Sequence, residues 1–202
     1  MTPIAENEVG AAVGIFLGAF RDNVRLVYGD DPRPDAMRDV WTFVRQTEPG
    51  GFLVARENND ILGYAIFVSS VSALRRKAVR SGAIFGWALR ALVGRYGIHW
   101  IALARLLWNK TLFVRSSDRF RSEGDAQLLN IAVSPGARGK GIAKLLVHAG
   151  LKYLAGEHIQ EVRLEVRPEN KPAIAAYLAN GFVERGRTQD AGGDWIVMTA
   201  RP

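Results

Sequence analysis

The stretch VSPGARGKGIAKLL, Val133–Leu146, decides the fold because a turn rich in glycine and positive charge joins two apolar runs. The first run, 126–133, predicts a strand, and the spacing of the second predicts a helix over 141–155. The first turn of a helix has unpaired N–H groups and a partial positive charge. Glycines let an anion approach these groups, and Arg138 and Lys140 add full charges. The turn therefore predicts an anion site, best suited to phosphates.

Two common phosphate-binding motifs do not fit this turn. A Walker loop needs Ser or Thr after its Gly-Lys pair, and here Gly141 follows. The dinucleotide fingerprint needs a third glycine where this chain has Lys144. The structural alternative is a solvated basic turn that only gives the helix a flexible start.

The predicted elements around this turn alternate between helices and strands. Further helices are predicted at 5–28, 35–46 and 171–179. Further strands are predicted at 52–56, 61–69, 161–166, 182–185 and 195–200. This order predicts an α/β or α+β fold, with helices on the faces of a sheet. A length of 202 residues suits one domain spanning 1–202.

A second stretch, RLEVRPENKPAIAAYLANGF at Arg163–Phe182, adds a resemblance to the GNAT superfamily of acetyl-CoA-dependent N-acetyltransferases. That family has a phosphate loop of the pattern Arg/Gln-x-x-Gly-x-Gly/Ala after an apolar strand. It then has an Asn, a small residue and a Tyr before Gly-Phe. The matching residues here are Arg138, Gly141 and Ala143, followed by Asn170, Ala173, Tyr177, Gly181 and Phe182. The resemblance covers 126–200 well, 52–69 weakly and 70–125 not at all.

The resemblance implies a mixed, mainly antiparallel central sheet flanked by helices, with acetyl-CoA as co-substrate and no metal. The pyrophosphate is expected on the loop, and the pantetheine arm is expected along the preceding strand, where a bulge or splay must free the backbone groups. The residues expected to bind acetyl-CoA are Ile131, Ala132, Val133, Arg138, Gly139, Lys140, Gly141, Ile142, Ala143, Asn170, Ala173 and Tyr177.

The resemblance also implies that a primary amine attacks the thioester directly in a ternary complex, a route that suits a chain without cysteine. Tyr177 is the expected general acid, with a core aromatic as the alternative. Glu165 is the expected base, with an outward carboxylate paired to Arg163 as the alternative. Glu123, Asp125 or a water relay remain as other bases. A non-catalytic acyl-CoA-binding module is the alternative function.

The segment 70–122 carries eleven Lys or Arg residues against one acidic residue, although the whole chain has a net charge of only +7. Its apolar positions predict a helical insertion over 70–125, with a second helix at 98–114. The insertion is either a hairpin packed on the domain or a basic, aromatic platform. A platform would engage a membrane surface or a phosphate-bearing substrate, whereas nucleic acid is disfavoured because aromatic and aliphatic residues are mixed.

The composition also bears on location and on metals. The absence of cysteine and of a basic leader favours a cytoplasmic protein, with the inner membrane face as a second location. The three histidines have no metal-binding spacing. A homodimer is left open.

Overall fold

The computed structural model describes residues 1–21, 24–25, 33–97, 124–190 and 193–202. Its strands are β1 (Thr2–Pro3), β2 (Phe52–Glu57), β3 (Asp60–Val68), β4 (Ala126–Val133), β5 (Val162–Val166), β6 (Val183–Asp190) and β7 (Gly193–Ala200). Its α-helices are α1 (Val9–Ala19), α2 (Asp35–Thr47), α3 (Val71–Arg80), α4 (Ala83–Leu92), α5 (Ile142–Gly156) and α6 (Lys171–Leu178). Two short 3₁₀ turns lie at Glu6–Glu8 and Pro135–Ala137.

The strands form one sheet in the order β1-β2-β3-β4-β5-β7-β6. Every pairing between neighbouring strands is antiparallel except that of β4 with β5. That parallel pair is connected through α5, as a parallel crossover requires. The predicted mixed, mainly antiparallel sheet flanked by helices is therefore confirmed.

The sheet separates two apolar cores. One core holds Phe67 of β3, Leu146 of α5 and Leu164 of β5. The other holds Tyr64 of β3 and Trp41 of α2. Successive side chains of a strand point to opposite faces, so β3 can serve both cores. This central strand is consequently apolar throughout its buried part.

Strand β4 contains a β-bulge at Leu129. Its neighbour Leu128 is opposite Phe67 of β3, whereas Asn130 is opposite the adjacent residue Ile66. The extra residue reverses which side chains of β4 face each core. Leu128 therefore faces the α5 side, and beyond the bulge Ala132 faces the α1–α2 side.

Helix α5 lies very close to β3. A Cβ atom on Gly150 would be 1.9 Å from Cε2 of Phe67, so this position requires glycine. On the same helix, the Tyr153 hydroxyl donates to the buried carboxylate of Glu48 over 2.8 Å. The Ser69 hydroxyl donates to the other oxygen of Glu48, also over 2.8 Å. These contacts fix the helix that begins at the glycine-rich turn.

Two helix predictions need correction. The predicted helix 5–28 is not continuous, because a 3₁₀ turn precedes α1 and α1 ends at Ala19. The apolar repeat expected on one side of the insertion is split at Gly82, which has φ of +74°. Leu89 and Leu92 of that repeat are 63% and 84% exposed rather than packed. The predicted second insertion helix at 98–114 lies outside the described residues.

Candidate active site

The candidate site lies where β4 and β5 separate. These two strands pair at two positions, Ala126 with Val162 and Gln127 with Arg163. Beyond them β5 continues alongside β7, while β4 continues alongside β3 up to Val133. A wedge-shaped opening therefore forms between the two strands.

Among the described strands, none pairs with one edge of β4 over 128–133. Alternate N–H and C=O groups of a strand point to each edge, and here β3 takes one edge only. The expected residues Ile131, Ala132 and Val133 lie along this edge. An extended ligand could therefore add to it as a further strand, in the manner of β-augmentation.

The glycine-rich turn follows directly after this edge. The 3₁₀ turn Pro135–Ala137 leads to Gly139 and Gly141, whose φ angles are +78° and +73°. Both positions favour glycine because L-residues rarely adopt such angles. Gly141 is the N-cap of α5, which begins at Ile142. The free N–H groups of the first helical turn thus lie at the end of the β4 edge.

Positive charge surrounds this turn. Arg138 and Lys140 are both exposed, and Lys140 Nζ is 4.0 Å from Glu57 of β2. The Nε of Arg138 donates to the Val133 carbonyl over 3.4 Å. Together with the dipole of the 15-residue helix α5, these cations make the turn favourable for an anion. The structure therefore brings together the predicted residues Arg138, Gly139, Lys140, Gly141, Ile142 and Ala143.

Helix α6 is held against the start of α5. The Asn170 side chain caps α6 by accepting from the N–H of Ala173 over 3.3 Å. At the other end, the Asn180 amide donates to the carbonyls of Lys144 over 3.1 Å and of Ala176 over 2.8 Å. These bonds connect the helix that carries Tyr177 to the glycine-rich turn.

Tyr177 is buried in the α5-side core, where its ring lies 5.8 Å from that of Phe182. Burial raises the pKa of its hydroxyl to about 12. Tyr177 therefore keeps its proton at neutral pH. Tyr177 is thus a core aromatic, as the alternative expected, and its role as general acid stays a prediction.

Glu165 lies on β5 just beyond the last pair with β4. Its Oε1 is 2.6 Å from a guanidinium nitrogen of Arg163, and its Oε2 accepts from Gln127 Nε2 over 2.5 Å. Its side chain is only 10% exposed. Burial raises the pKa of Glu165 above its ordinary value, although the Arg163 charge and these hydrogen bonds oppose the rise. The expected pair with Arg163 therefore exists, but it is buried rather than outward.

Tyr177 and Glu165 lie on opposite faces of the sheet. Leu164 and Val166 belong to the same core as Tyr177. Because strand side chains alternate, Glu165 between them points to the other face. The sheet thus has a buried tyrosine on one face and a buried carboxylate on the other.

The weaker base candidates differ in their surroundings. Asp125 accepts from the Ser70 hydroxyl over 3.1 Å and from the backbone N–H of Ser72, at the start of α3. These hydrogen bonds hold the pKa of Asp125 below its ordinary value even though burial opposes them. Its carboxylate therefore holds the insertion in place. Glu123 lies outside the described residues.

The sequence did not indicate the residues that hold Glu165 and the helix of Tyr177 in place. Gln127 lies 38 positions from Glu165, and Asn180 lies 36 positions from Lys144. Such contacts between distant segments leave no local pattern. Side chains alternate along β4, so Gln127 points to the other face from its buried neighbours Ala126 and Leu128. This alternation is the signal that could have indicated Gln127.

Neither a metal centre nor a membrane span is found in the described part of the chain. No cluster of three or more His, Asp or Glu residues within these ranges could hold a metal ion. Within the same ranges, no helix combines the length and the apolar character that crossing a bilayer requires.

Solved structures share this fold across the whole chain. Ribosomal-protein-alanine N-acetyltransferase from Brucella melitensis aligns with a TM-score of 0.60 at 18% identity, covering 99% of this chain and 98% of that one. The yncA protein from Salmonella typhimurium, solved with its cofactor acetyl-CoA, aligns with a TM-score of 0.59 at 15% identity, covering 98% and 91%. At these identities, the likeness establishes the fold.

Curated relatives match over shorter stretches. Mycothiol acetyltransferase from Nocardioides sp. is 46% identical over 52 residues, which are 26% of this chain and 18% of that protein. Mycothiol acetyltransferase from Tsukamurella paurometabola is 28% identical over 120 residues, covering 50% of this chain and 39% of that protein. The chain thus spans less than half the length of these relatives.

The acetyltransferase (GNAT) family matches residues 19–182, well over half of the chain. The predicted family and its co-substrate acetyl-CoA are thereby confirmed, and the shared fold agrees with them. This match shows that the chain, with its open strand pair and glycine-rich turn, belongs to the acetyltransferase (GNAT) family.

Proposed function

We propose that this protein transfers the acetyl group of acetyl-CoA to a primary amine by direct attack in a ternary complex. The observation that carries the proposal is the opening between β4 and β5, in a sheet with Tyr177 in the core on one face and the Glu165 carboxylate on the other. A non-catalytic acyl-CoA-binding module would need the open edge and the anion turn, but it would not need these two groups.

The glycine-rich turn and the β4 edge fit the two ends of the co-substrate. We assign the pyrophosphate to the N–H groups over 138–143, because both glycines there leave the backbone accessible. We assign the pantetheine arm to the edge over 131–133, since its amides can pair with open strand groups. Asn170 and Ala173 contribute by placing α6 beside the arm.

Glu165 has the properties of the base that the amine requires. An ammonium must lose a proton before it can attack, and a carboxylate whose pKa is raised by burial accepts that proton better than an exposed one. Arg163 and Gln127 hold the carboxylate in one orientation. They also keep its charged form available in a buried setting.

Tyr177 supplies the proton at the other end of the reaction. The nitrogen forms its bond to the acetyl carbon, the carbon–sulfur bond breaks, and the departing thiolate takes the hydroxyl proton of Tyr177. A pKa of about 12 keeps this proton in place at neutral pH until the thiolate develops. The proton that the nitrogen loses on becoming an amide returns to the Tyr177 oxygen. No residue of the chain is acylated, in agreement with the absence of cysteine.

The amine is not assigned, because the mycothiol acetyltransferases match only part of the chain and much less than half of their own length. The test is therefore a screen of amines, including N-terminal peptides, polyamines and amino sugars, by the release of free thiol from acetyl-CoA. We expect sustained thiol release with at least one amine, together with one acetylated product. Acetyl-CoA binding without turnover across the whole screen would favour the binding module.

The basic insertion was predicted to engage either an anionic substrate or a membrane surface. The described part of the insertion favours the membrane surface, because its cations occur together with exposed apolar side chains. The same feature is the reason to place the protein at the inner face of a membrane.

A further inference from the structure

Helix α4 exposes an apolar stripe on the side opposite its packing contact. Trp87 packs edge-on against Phe43 of α2, with ring centroids 5.5 Å apart. Positions 85, 89 and 92 lie on the far side of the helix, within about 60° of one another at 100° per residue. Phe85, Leu89 and Leu92 are 70%, 63% and 84% exposed.

This stripe lies in the densest cluster of exposed apolar residues in the described chain. Twelve large apolar side chains are exposed within the described ranges, and six of them lie between Val79 and Val93. Scattered exposed apolar residues are normal, whereas a cluster on one helical hairpin marks an interaction surface. The hairpin α3–α4 therefore has the character of an interaction surface, and a partner that covers it would contact apolar side chains.

The hairpin is also strongly basic. The range 71–97 contains six Lys or Arg residues and no Asp or Glu. The cations Arg75, Arg76, Lys77 and Arg80 are exposed on α3, and Arg95 is exposed after α4. Among the residues that the structure describes, Arg90 forms the only ion pair within 71–97, with Asp39 of α2 at 2.6 Å. The partner must therefore be negatively charged as well as apolar.

The hairpin is fixed to the rest of the protein at both ends. The Val71 N–H donates to the Asp125 carbonyl over 3.0 Å, and the Asp125 carboxylate accepts from Ser70 and Ser72. After α4, the Tyr96 hydroxyl donates to Asp39 over 2.6 Å. The stripe is thus presented from a defined position.

We propose that the hairpin α3–α4 docks the enzyme on an anionic lipid surface. Its cations would lie among the headgroups, and Phe85, Leu89 and Leu92 would enter the boundary between headgroups and acyl chains. A helix that combines an apolar stripe with Lys and Arg residues and few acids is typical of such binding. This docking goes beyond the proposed acetyl transfer and does not depend on it.

A second copy of the chain is a poorer occupant for this surface. A symmetric dimer buries the same patch of both protomers, so it would bring two sets of cations together. Like charges facing each other across an interface cost several kcal/mol. An anionic bilayer instead offers negative charge to the exposed cations of the hairpin.

The test is sedimentation of the full chain with phosphatidylcholine vesicles, with and without phosphatidylglycerol. We expect binding only to the vesicles containing phosphatidylglycerol. Binding should weaken steeply from 0.1 to 1 M salt, as the Debye length falls from about 10 Å to about 3 Å. No binding to these vesicles, or equal binding to pure phosphatidylcholine, would contradict the proposal.

Matched variants locate the surface. The double change Arg76→Gln and Arg80→Gln should weaken binding by about 30-fold. The control, Lys152→Gln with Arg201→Gln, removes the same charge elsewhere and should have little effect on binding. Leu89→Ser should weaken binding on the order of tenfold, while Val183→Ser on β6 should not. Equal losses in the control variants, or no loss in either test variant, would overturn the assignment to the hairpin.

Two further measurements separate the other occupants. Sedimentation velocity without lipid should show a monomer, so a dimer that Leu89→Ser dissociates would show that a second copy covers the stripe. Binding of soluble polyglutamate as tight as vesicle binding, and unchanged by Leu89→Ser, would indicate an acidic protein. Thermal melting checks that each variant is folded, and Leu92→Ser replaces Leu89→Ser if the latter is not.

Discussion

At the scale of single residues, the proposed chemistry rests on two side chains whose pKa values are raised by burial. Burial keeps Tyr177 protonated, and burial raises the pKa of Glu165 despite its pairing with Arg163. One group can therefore give a proton and the other can take one at the same pH. Pairs of titratable groups in such contrasting roles are typical of acid–base catalysis.

Replacing Tyr177 by phenylalanine tests the acid. The variant keeps the ring packed beside Phe182 but removes the proton that the departing thiolate takes. We expect kcat to fall about 100-fold, within the usual range for one acid–base group. The dissociation constant of acetyl-CoA, measured by calorimetry, should stay within about twofold. A variant with unchanged kcat would show that water protonates the thiolate.

Replacing Glu165 by glutamine tests the base through the pH dependence of kcat/KM. The base acts in its deprotonated form, so activity should rise as pH increases through the pKa of Glu165. Because burial raises that pKa, this acidic limb should lie above the ordinary range for a glutamate. The limb should disappear in Glu165→Gln and persist in Tyr177→Phe. A limb that persists in Glu165→Gln would direct attention to a water relay or to Glu123.

At the scale of elements, the N-terminal 3₁₀ turn is held to β2 by charge. Arg56 Nε donates to Glu8 Oε1 over 2.8 Å, and another nitrogen of Arg56 donates to the Pro3 carbonyl over 3.4 Å. The hydrogen bond with Arg56 lowers the pKa of Glu8 below its ordinary value of 4.5. This pair stabilises the start of the chain against the edge of the sheet.

The change Glu8→Gln should lower the free energy of unfolding at pH 7 by about 1 kcal/mol. A carboxylate with a lowered folded pKa contributes its full stability above its unfolded pKa and loses it as pH falls through the folded value. The difference from the parent protein should therefore vanish in acid. Urea unfolding of both proteins at several pH values measures this difference in the free energy of unfolding. The control Glu6→Gln, whose carboxylate is 66% exposed beside Arg45, should change stability by less than about 0.5 kcal/mol.

The extent to which these elements could be predicted depends on where their determinants lie. Strand β4 was predicted with its observed bounds, and the start of α5 within one residue, because turn glycines and apolar runs are local signals. The bulge at Leu129 was not predicted at that residue, since it depends on pairing with β3. The sequence could therefore indicate that a splay was needed but not where it begins.

Helix α4 shows a second limit of prediction. Its spacing correctly indicated a helix, but apolar residues occur on both of its sides. Periodicity then cannot tell the packed side from the exposed one. Trp87 packs against Phe43, whereas Phe85 is 70% exposed. Contacts with α2, far away in sequence, decided the orientation.

At the scale of the whole molecule, the sheet combines two surfaces with separate tasks. The opening between β4 and β5 is the proposed site of acetyl transfer. The hairpin inserted between β3 and β4 carries the basic, apolar surface. Asp125 connects the two, since it precedes β4 and caps α3. Docking on lipid would therefore hold the active site at a fixed orientation to the membrane.

The most direct test of the central claim is a calorimetric titration of acetyl-CoA into Gly141→Val and Gly82→Val. Both glycines cap the start of a helix with φ near +74°, and a Cβ atom added to either would meet no heavy atom within 4 Å, so both changes cause similar backbone strain. Only Gly141 lies in the proposed pyrophosphate turn. We predict micromolar binding for Gly82→Val, as for the parent protein, and at least 100-fold weaker binding for folded Gly141→Val. Equal affinities in the two folded variants would contradict the claim that this turn holds acetyl-CoA.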